Sequence, residues 1–232
     1  MIINKRFDGF QLYVKEGNDA YCQIFADFIK NRLEIVKVFR NSRATKIILL
    51  KHEGKLFVLK VVKYKDRIVE RFMKSCIKGD YQLNLMKTTH EAWDNNVRVS
   101  NDIYLLAERK FLSFVSMFVM IMEYIPGTEL GKWQAVPEEF KRELSSKLLL
   151  LHSNGIVSGD LHKDNVIVTE KGLRLIDLSG KKLTKRRMAQ DYIDLEKNIG
   201  GGFFKKDFYY FLEMKLKNLK ERRRELKRSI RH

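Results

Sequence analysis

Val157-Ser-Gly-Asp-Leu-His-Lys-Asp-Asn165, followed by Val166-Ile-Val168, the turn Glu170-Lys-Gly172 and Leu173-Arg-Leu-Ile-Asp-Leu-Ser179, decides the fold. Two short β-rich runs bounded by a Lys-Gly turn predict a hairpin. Asp177 follows the second run, so its carboxylate emerges at a strand end. Asp160 and Asn165 lie in one loop before the first. Phosphoryl transfer needs metal ions on the phosphates, a cation to position them and an acceptor hydroxyl held in line, and Asp160, Asn165 and Asp177 are hard oxygen donors in the right order for the metal and the hydroxyl. Taken singly, Asp160 reads as an Asx-turn and Asp177 as a strand-end residue. With the hairpin between them they read as one site.

The separation of Asp160 from Asn165 is that of the kinase loop H-R-D-x-x-x-x-N, and Asp177 takes the position of the aspartate in D-F-G. On that pattern Asp160 orients the hydroxyl and accepts its proton, while Asn165 and Asp177 bind Mg²⁺. Two departures stand out. Ser158-Gly159 replaces His-Arg, which removes the arginine that would read an activation-loop phosphate, and Asp177-Leu-Ser replaces Asp-Phe-Gly. His162 and Lys163 follow Asp160 closely enough to fall on the substrate rim, although a lone histidine is more often structural. Asp191 or Asp194 would serve to brace the loop amides, but a solvated helix face is the more economical account of both. His152 reads as a helix-end residue.

Toward the N-terminus, Ile35-Val-Lys-Val-Phe39, Lys46-Ile-Ile-Leu-Leu-Lys51 and Lys55-Leu-Phe-Val-Leu-Lys-Val-Val62 are separated by Asn41-Ser42 and His52-Glu-Gly54, which predicts an antiparallel meander. Lys60 sits among apolar neighbours, so its ammonium requires an anionic partner and fits the lysine that holds the α- and β-phosphates of ATP. An edge-strand lysine on a polar face, like Lys63, is the competing account. Its acidic helix partner is Asp80, with Glu70 as second choice. The expected glycine-rich phosphate loop is absent: Arg40-Asn-Ser-Arg-Ala-Thr45 contains no glycine, which leaves backbone amides helped by Ser42, Arg43 and Thr45. Residues 67–92 take on helical character, and strands return at Ile103-Tyr-Leu-Leu-Ala107 and from Val115 to Tyr124. Met122-Glu-Tyr124 before Pro126-Gly127 suits a hinge that reads adenine, with Glu123 as its contact, or an ordinary strand end.

Beyond the hinge, Pro137-Glu-Glu-Phe140 opens a helix continued by Leu144, Leu148 and Leu151 and stopped at Gly155. Helices resume after Lys185. From Phe208, Leu212, Leu216, Leu219, Leu226 and Ile230 recur at helical steps among lysines and arginines, which predicts one basic amphipathic helix. Such a helix lies on an anionic membrane, or docks by its Leu stripe with a solvated charged face. An RNA-contacting tail is less favoured, because aromatics are not interleaved with the charges. The expected architecture is α+β and bilobal, protein-kinase-like: an ATP-binding lobe over residues 1–125 with an antiparallel sheet and a helix, and a mainly helical catalytic lobe over 126–232, together one domain.

The 232 residues suffice for two small lobes, and the formal net charge of +17 exceeds what solubility requires, so an acidic partner is expected. Nucleic acid, anionic lipid and a phosphorylated substrate all fit that charge. Cys22 and Cys76 have no redox or metal-site spacing, which suits a reducing compartment. The N-terminus lacks an export-type apolar region, and Phe111 to Ile125 is interrupted by Ser113, Ser116, Glu123 and Tyr124, so a cytoplasmic chain with no bilayer span is expected.

With these residues in place, the sequence resembles the lipopolysaccharide core heptose kinases of enteric bacteria, the heptose(II) kinases most closely. The resemblance is carried by Ile35-Val-Lys-Val-Phe-Arg40, Lys78-Gly-Asp-Tyr81, Leu105-Leu-Ala-Glu-Arg-Lys110, Val157-Ser-Gly-Asp160 and Ile176-Asp-Leu-Ser-Gly-Lys181. It implies ATP- and Mg²⁺-dependent phosphorylation of the second heptose of the inner core at the cytoplasmic face of the inner membrane, peripheral attachment there, and no nucleic-acid partner. By position it implies that Lys60 holds ATP, Asp160 is the base, and Asn165 with Asp177 holds the metal. A kinase for another acceptor (heptose I, Kdo, an aminoglycoside or a protein) and a non-catalytic basic adaptor are the alternatives.

Overall fold

The computed structural model describes residues 1–64, 81–111, 114–201 and 203–229. Asp80, Glu70, Cys76 and Ile230 lie outside the described residues. The chain divides into two compact units, Met1–Pro126 and Gly127–His232.

The first unit is built on an antiparallel sheet of seven strands: β1 (Ile2–Phe7), β2 (Phe10–Lys15), β3 (Glu34–Asn41), β4 (Thr45–His52), β5 (Lys55–Lys63), β6 (Ile103–Phe111) and β7 (Phe114–Glu123), in the order β1-β2-β6-β7-β5-β4-β3. The expected meander is β3-β4-β5. Its second turn is closed by Glu53 and Gly54, both at positive φ, with His52 opposite Lys55. That geometry matches the right-handed twist of the flanking strands.

Residues before Ile35, where no element was expected, add β1, β2 and helix α1 (Asp19–Ile29). The hairpin turns on Asp8-Gly9, again both at positive φ, with Phe7 opposite Phe10. Asn18 caps α1 by accepting the Ala20 amide at 2.9 Å. Phe10, Leu12 and Val14 of β2 alternate inward and meet Ile24 and Phe25 of α1, joined by Leu50, Phe57, Leu59, Val61, Leu105, Ala107, Val119 and Ile121 in one buried core. Helix α2 (Tyr81–Asp94) packs against β6 from the other face: Lys15, which alternates away from Val14, sets its ammonium 5.4 Å from the Trp93 ring centroid. Apolar burial between the central strands and the helices packed on them supplies cohesion in this unit, whereas β3 at the sheet edge is exposed along its length.

The second unit begins with β8 (Thr128–Glu129) and a 3₁₀ turn at Leu130–Lys132, then helix α3 (Glu138–Ser153), a 3₁₀ turn at Lys163–Asn165, the hairpin β9 (Val166–Thr169) and β10 (Gly172–Leu175), and helices α4 (Lys185–Ile199) and α5 (Phe208–Ser229). β8, β9 and β10 form a small antiparallel sheet. Leu144, Leu148 and Leu151 form the buried stripe of α3, and Gly155 at φ 76° follows its end. Thr184 caps α4, and Gly200 in the left-handed region closes it. The chain is α+β, with an antiparallel sheet and helices in the first unit and a mainly helical second unit, as read from the sequence from Ile35 onward.

Helix α5 departs from expectation in the face it buries. Its inward residues are Tyr210 and Glu213, with Lys217 one turn on; Glu213 pairs with Arg186 and accepts from Gln190 at 2.8 Å, and Lys217 reaches Asp194 at 2.8 Å. Tyr210 packs with Ala189 and Ile193 of α4. Among the described leucines of the stripe, Leu212 and Leu216 are half-buried, and Leu219 is exposed together with Phe208 and Phe211. Polar partners on α4 select the inward side, and an apolar pattern alone does not reveal them.

Candidate active site

Asp160 projects from a loop whose backbone is fixed from both directions. Upstream, the Asp191 carboxylate, 1% exposed on α4, accepts the amides of Ser158 at 2.9 Å and Gly159 at 2.8 Å. The same carboxylate lies 2.9 Å from His152 Nε2, and His152 Nδ1 lies 3.3 Å from the Tyr192 hydroxyl. Burial pushes the Tyr192 pKa up, with the Asp191 charge as the next contribution, so its hydroxyl stays protonated over the physiological range. Downstream, Asn165 Nδ2 donates to the Asp160 carbonyl at 2.9 Å, and Asn198 donates to the Leu161 carbonyl at 2.6 Å.

This resolves two expectations from sequence. Asp191 is the loop brace, and the solvated-face account of it fails because it is buried with three partners; Asp194 faces Lys217 instead. His152 does end α3, but as the third member of the Asp191 cluster. A buried polar group of this kind must be fully satisfied, and here backbone amides and an imidazole satisfy it.

Gly159, where kinases carry arginine, has φ 79°, and a Cβ there would come within 2.6 Å of the Ser179 Cβ. The reason is a direct pairing of two chain segments: Val157 bridges Ser179, whose amide donates to the Val157 carbonyl at 3.2 Å. The stretch after Asp177 therefore runs alongside the Asp160 loop.

The Ile176 amide donates to the Asn165 carbonyl at 2.9 Å, which ties the residue before Asp177 to Asn165. Asp177 is exposed with φ 58°, an uncommon conformation for a non-glycine residue and one that concentrates at functional sites. The Asn165 Nδ2 group is occupied by the Asp160 carbonyl, so only its amide oxygen could serve as a ligand. An amide oxygen and a carboxylate suit Mg²⁺, which takes few protein ligands and completes its shell with water and phosphate. Among the described residues no group of three His, Cys, Asp or Glu gathers into an all-protein cage. The Asp160 side chain is 78% exposed. His162 reaches toward it, with Nε2 3.8 Å from Asp160 and Nδ1 3.7 Å from Asp164. Lys163 is half-buried in the 3₁₀ turn.

The remaining candidates belong to the first unit. Lys60 is half-buried on β5, which pairs with β4 on one side and β7 on the other, so the edge-strand account does not hold. It alternates away from the core residues Leu59 and Val61. The β3–β4 connection is a tight turn: the Ser42 hydroxyl donates to the Thr45 carbonyl and accepts the Thr45 amide, both at 3.0 Å. None of residues 40–45 has positive φ, which is why the turn forms without glycine. Ser42 and Thr45 are thus engaged in closing the turn, and Arg43 is exposed at its tip. At the end of β7 the Glu123 amide donates to the Asp102 carbonyl at 2.9 Å, and its carboxylate accepts the Asp102 amide at 3.2 Å. The Glu123 side chain therefore has a local role in fixing the strand end.

The family model for the lipopolysaccharide core biosynthesis protein WaaY matches residues 1–229. Two curated relatives, both lipopolysaccharide core heptose(II) kinases WaaY, are similar over nearly their full lengths. One from Escherichia coli is 38% identical over 91% of this chain and 92% of its own. One from Escherichia coli strain K12 is 37% identical over 98% of each chain. Among solved structures, a double-mutant kinase domain of PknI from Mycobacterium tuberculosis covers 73% of each chain at 14% identity with a TM-score of 0.48.

Proposed function

This chain belongs to the WaaY family of lipopolysaccharide core biosynthesis proteins, and from that premise we propose that it is the kinase that phosphorylates heptose II of the lipopolysaccharide inner core. It is a phosphotransferase acting on an alcohol group, and its catalysis depends on a nucleotide. The near-full-length identity to two heptose(II) kinases carries the acceptor assignment. The phosphoryl donor is ATP. Mg²⁺, bound by Asn165 and Asp177, supplies charge neutralisation on the nucleotide phosphates.

The roles of individual residues are part of this proposal. Asp160 orients the heptose hydroxyl and accepts its proton as the oxygen bonds to the γ-phosphorus of ATP and the γ-phosphorus–oxygen bond to ADP breaks. What supports this is its exposure on a loop held at both ends by Asp191 and Asn165. A loop fixed in advance avoids part of the orientational entropy of the reaction. His162 and Lys163 line the acceptor side, where an imidazole and an ammonium stabilise anionic groups of the core. Lys60 holds the α- and β-phosphates, Arg43 reaches phosphate from the tip of its turn, and Ser42 shapes that turn. Glu123 marks the adenine-reading strand end. Asp80 and Glu70 remain the candidates for the carboxylate paired with Lys60.

The chain works at the cytoplasmic face of the inner membrane as a peripheral protein. No helix among the described residues is long and apolar enough to cross a membrane. The excess of positive charge suits a polyanionic acceptor and raises its encounter rate.

The deciding experiment incubates purified protein with Mg-ATP and a heptosylated core acceptor and maps phosphate on each heptose by mass spectrometry. Transfer to heptose II is expected. Transfer confined to heptose I or Kdo would replace the acceptor assignment, and no transfer to any core sugar would overturn the function. Asp160→Asn should lower kcat by about 10²–10⁴-fold with an unchanged circular dichroism spectrum, and a variant of full activity would remove the base assignment.

A further inference from the structure

Helix α5 buries one face on α4, where Tyr210 and Met214 pack with Ala189 and Ile193, yet it leaves a second apolar row uncovered. A surface helix normally turns its apolar stripe to the core and its charges to water. Here Tyr210, Glu213 and Lys217 face α4, while Phe208, Phe211 and Leu219 stand 70%, 55% and 47% exposed on the opposite side. Positions 208, 211, 215, 219 and 222 follow helical steps of three and four, so the three apolar side chains form one row with exposed Lys215 and Arg222. Two of the three glutamates of the helix are drawn away from this row, Glu213 to Arg186 and Glu221 to Lys197 at 3.3 Å. The outer face is therefore both apolar and basic.

We propose that this outer face of α5 is a membrane-binding surface, in which Phe208, Phe211 and Leu219 enter the headgroup boundary of an anionic bilayer and Lys215 and Arg222 bind its phosphates. The proposal rests on the reading of this chain as a kinase for a lipid-borne acceptor, and deepens it by assigning the contact to one helix face. The pattern is that of an interfacial amphipathic helix, with large apolar groups flanked by cations. Charge complementarity selects the occupant. A second copy pairing through the same face would gather Lys215 and Arg222 of both copies into one interface with no acidic partner in the row, which disfavours a two-fold interface. An anionic bilayer neutralises them. The contact needs no rearrangement of the lobe, because the inward face of α5 is already occupied.

The test is vesicle co-sedimentation of the full chain, using phosphatidylcholine alone and phosphatidylcholine with roughly one third phosphatidylglycerol. Wild type should bind the anionic vesicles. Phe211→Asp combined with Leu219→Asp should weaken that binding at least about tenfold, and Lys215→Glu combined with Arg222→Glu should remove the preference for phosphatidylglycerol. Phe211→Trp, a conservative change at an exposed site, should gain a blue-shifted emission on anionic vesicles relative to wild type. Undiminished binding by the double aspartate variant would overturn the proposal. So would a wild-type dimer in light scattering that this variant converts to monomer. Transfer to a deacylated, water-soluble core acceptor is measured on the same samples and should be unchanged in the variants. Failure of wild type to phosphorylate any core acceptor would count against the kinase reading, whereas failure of the vesicle result alone counts against the membrane face.

Discussion

At the scale of single residues, the side chains proposed for catalysis are easy to recognise and their supports are not. Asp160, Asn165 and Asp177 fall within one short stretch, so local spacing exposes them. Asp191 is separated from the loop amides it accepts by more than thirty residues of chain, and nothing in the composition of α4 distinguishes it from Asp194, which pairs with Lys217. The structure shows why it matters: one carboxylate takes two backbone N–H groups and approaches His152. Asp191→Asn keeps the shape but turns an NH₂ group toward a donor. A buried donor left without an acceptor costs about 1–3 kcal/mol, which in a chain of this size lowers Tm by several degrees. Because the loop carries Asp160, kcat should fall as well, measured at a temperature where the variant is fully folded. A lowered Tm with wild-type kcat would reduce Asp191 to a purely structural residue.

At the scale of elements, legibility follows the range of the forces that decide each one. The β3-β4-β5 meander, the β9–β10 hairpin and α3 were legible because their turns and periodicities are local. The Asp8-Gly9 hairpin carried an equally local signal, with Phe10, Leu12 and Val14 alternating after it, and is as readable in retrospect. The orientation of α5 was not legible, because it depends on Arg186, Gln190 and Asp194 of another helix. Glu213 is the centre of that contact. Burial is the largest single influence on it and pushes its pKa up, but hydrogen bonds from Arg186 and Gln190 and the charges of Arg186 and Lys220 together bring it below the usual carboxylate range. A depressed folded pKa stabilises the folded state above the unfolded carboxylate pKa, roughly 4.3, and that stabilisation is lost as pH falls through the folded value. Glu213→Gln should therefore be less stable than wild type at pH 7, by about 1–3 kcal/mol, and the two should converge as pH falls below about 4. Urea melts at pH 7 and pH 3.5 check this, and a gap of constant size would mean that packing rather than charge anchors α5. Glu196, held low by hydrogen bonds from Lys206 and Tyr210, shifts in the same direction, but at 40% exposure solvent screens its share.

At the scale of the whole molecule, a net charge of +17 was visible at once but its purpose was not, since charge alone attracts nucleic acid, lipid and phosphorylated sugar equally. The partner proposed above, a membrane-borne polyanion, would use that charge. Long-range attraction of that kind acts on encounter and binding, not on the bond-making step, because salt screens it over about 8 Å at physiological ionic strength. The salt dependence of the kinetics should therefore divide. For the intact, lipid-linked acceptor, raising the salt from about 0.05 M to 0.5 M should increase KM by roughly tenfold while kcat stays within about twofold. For a deacylated acceptor the rise in KM should be smaller, because the bilayer no longer concentrates charge beside α5. Initial rates over both salt concentrations and both acceptors give KM and kcat for each of the four combinations. A fall in kcat with unchanged KM would mean that the basic residues act on the chemistry itself, and the attraction argument would have to give way to one in which His162 or Lys163 stabilises charge that develops during transfer.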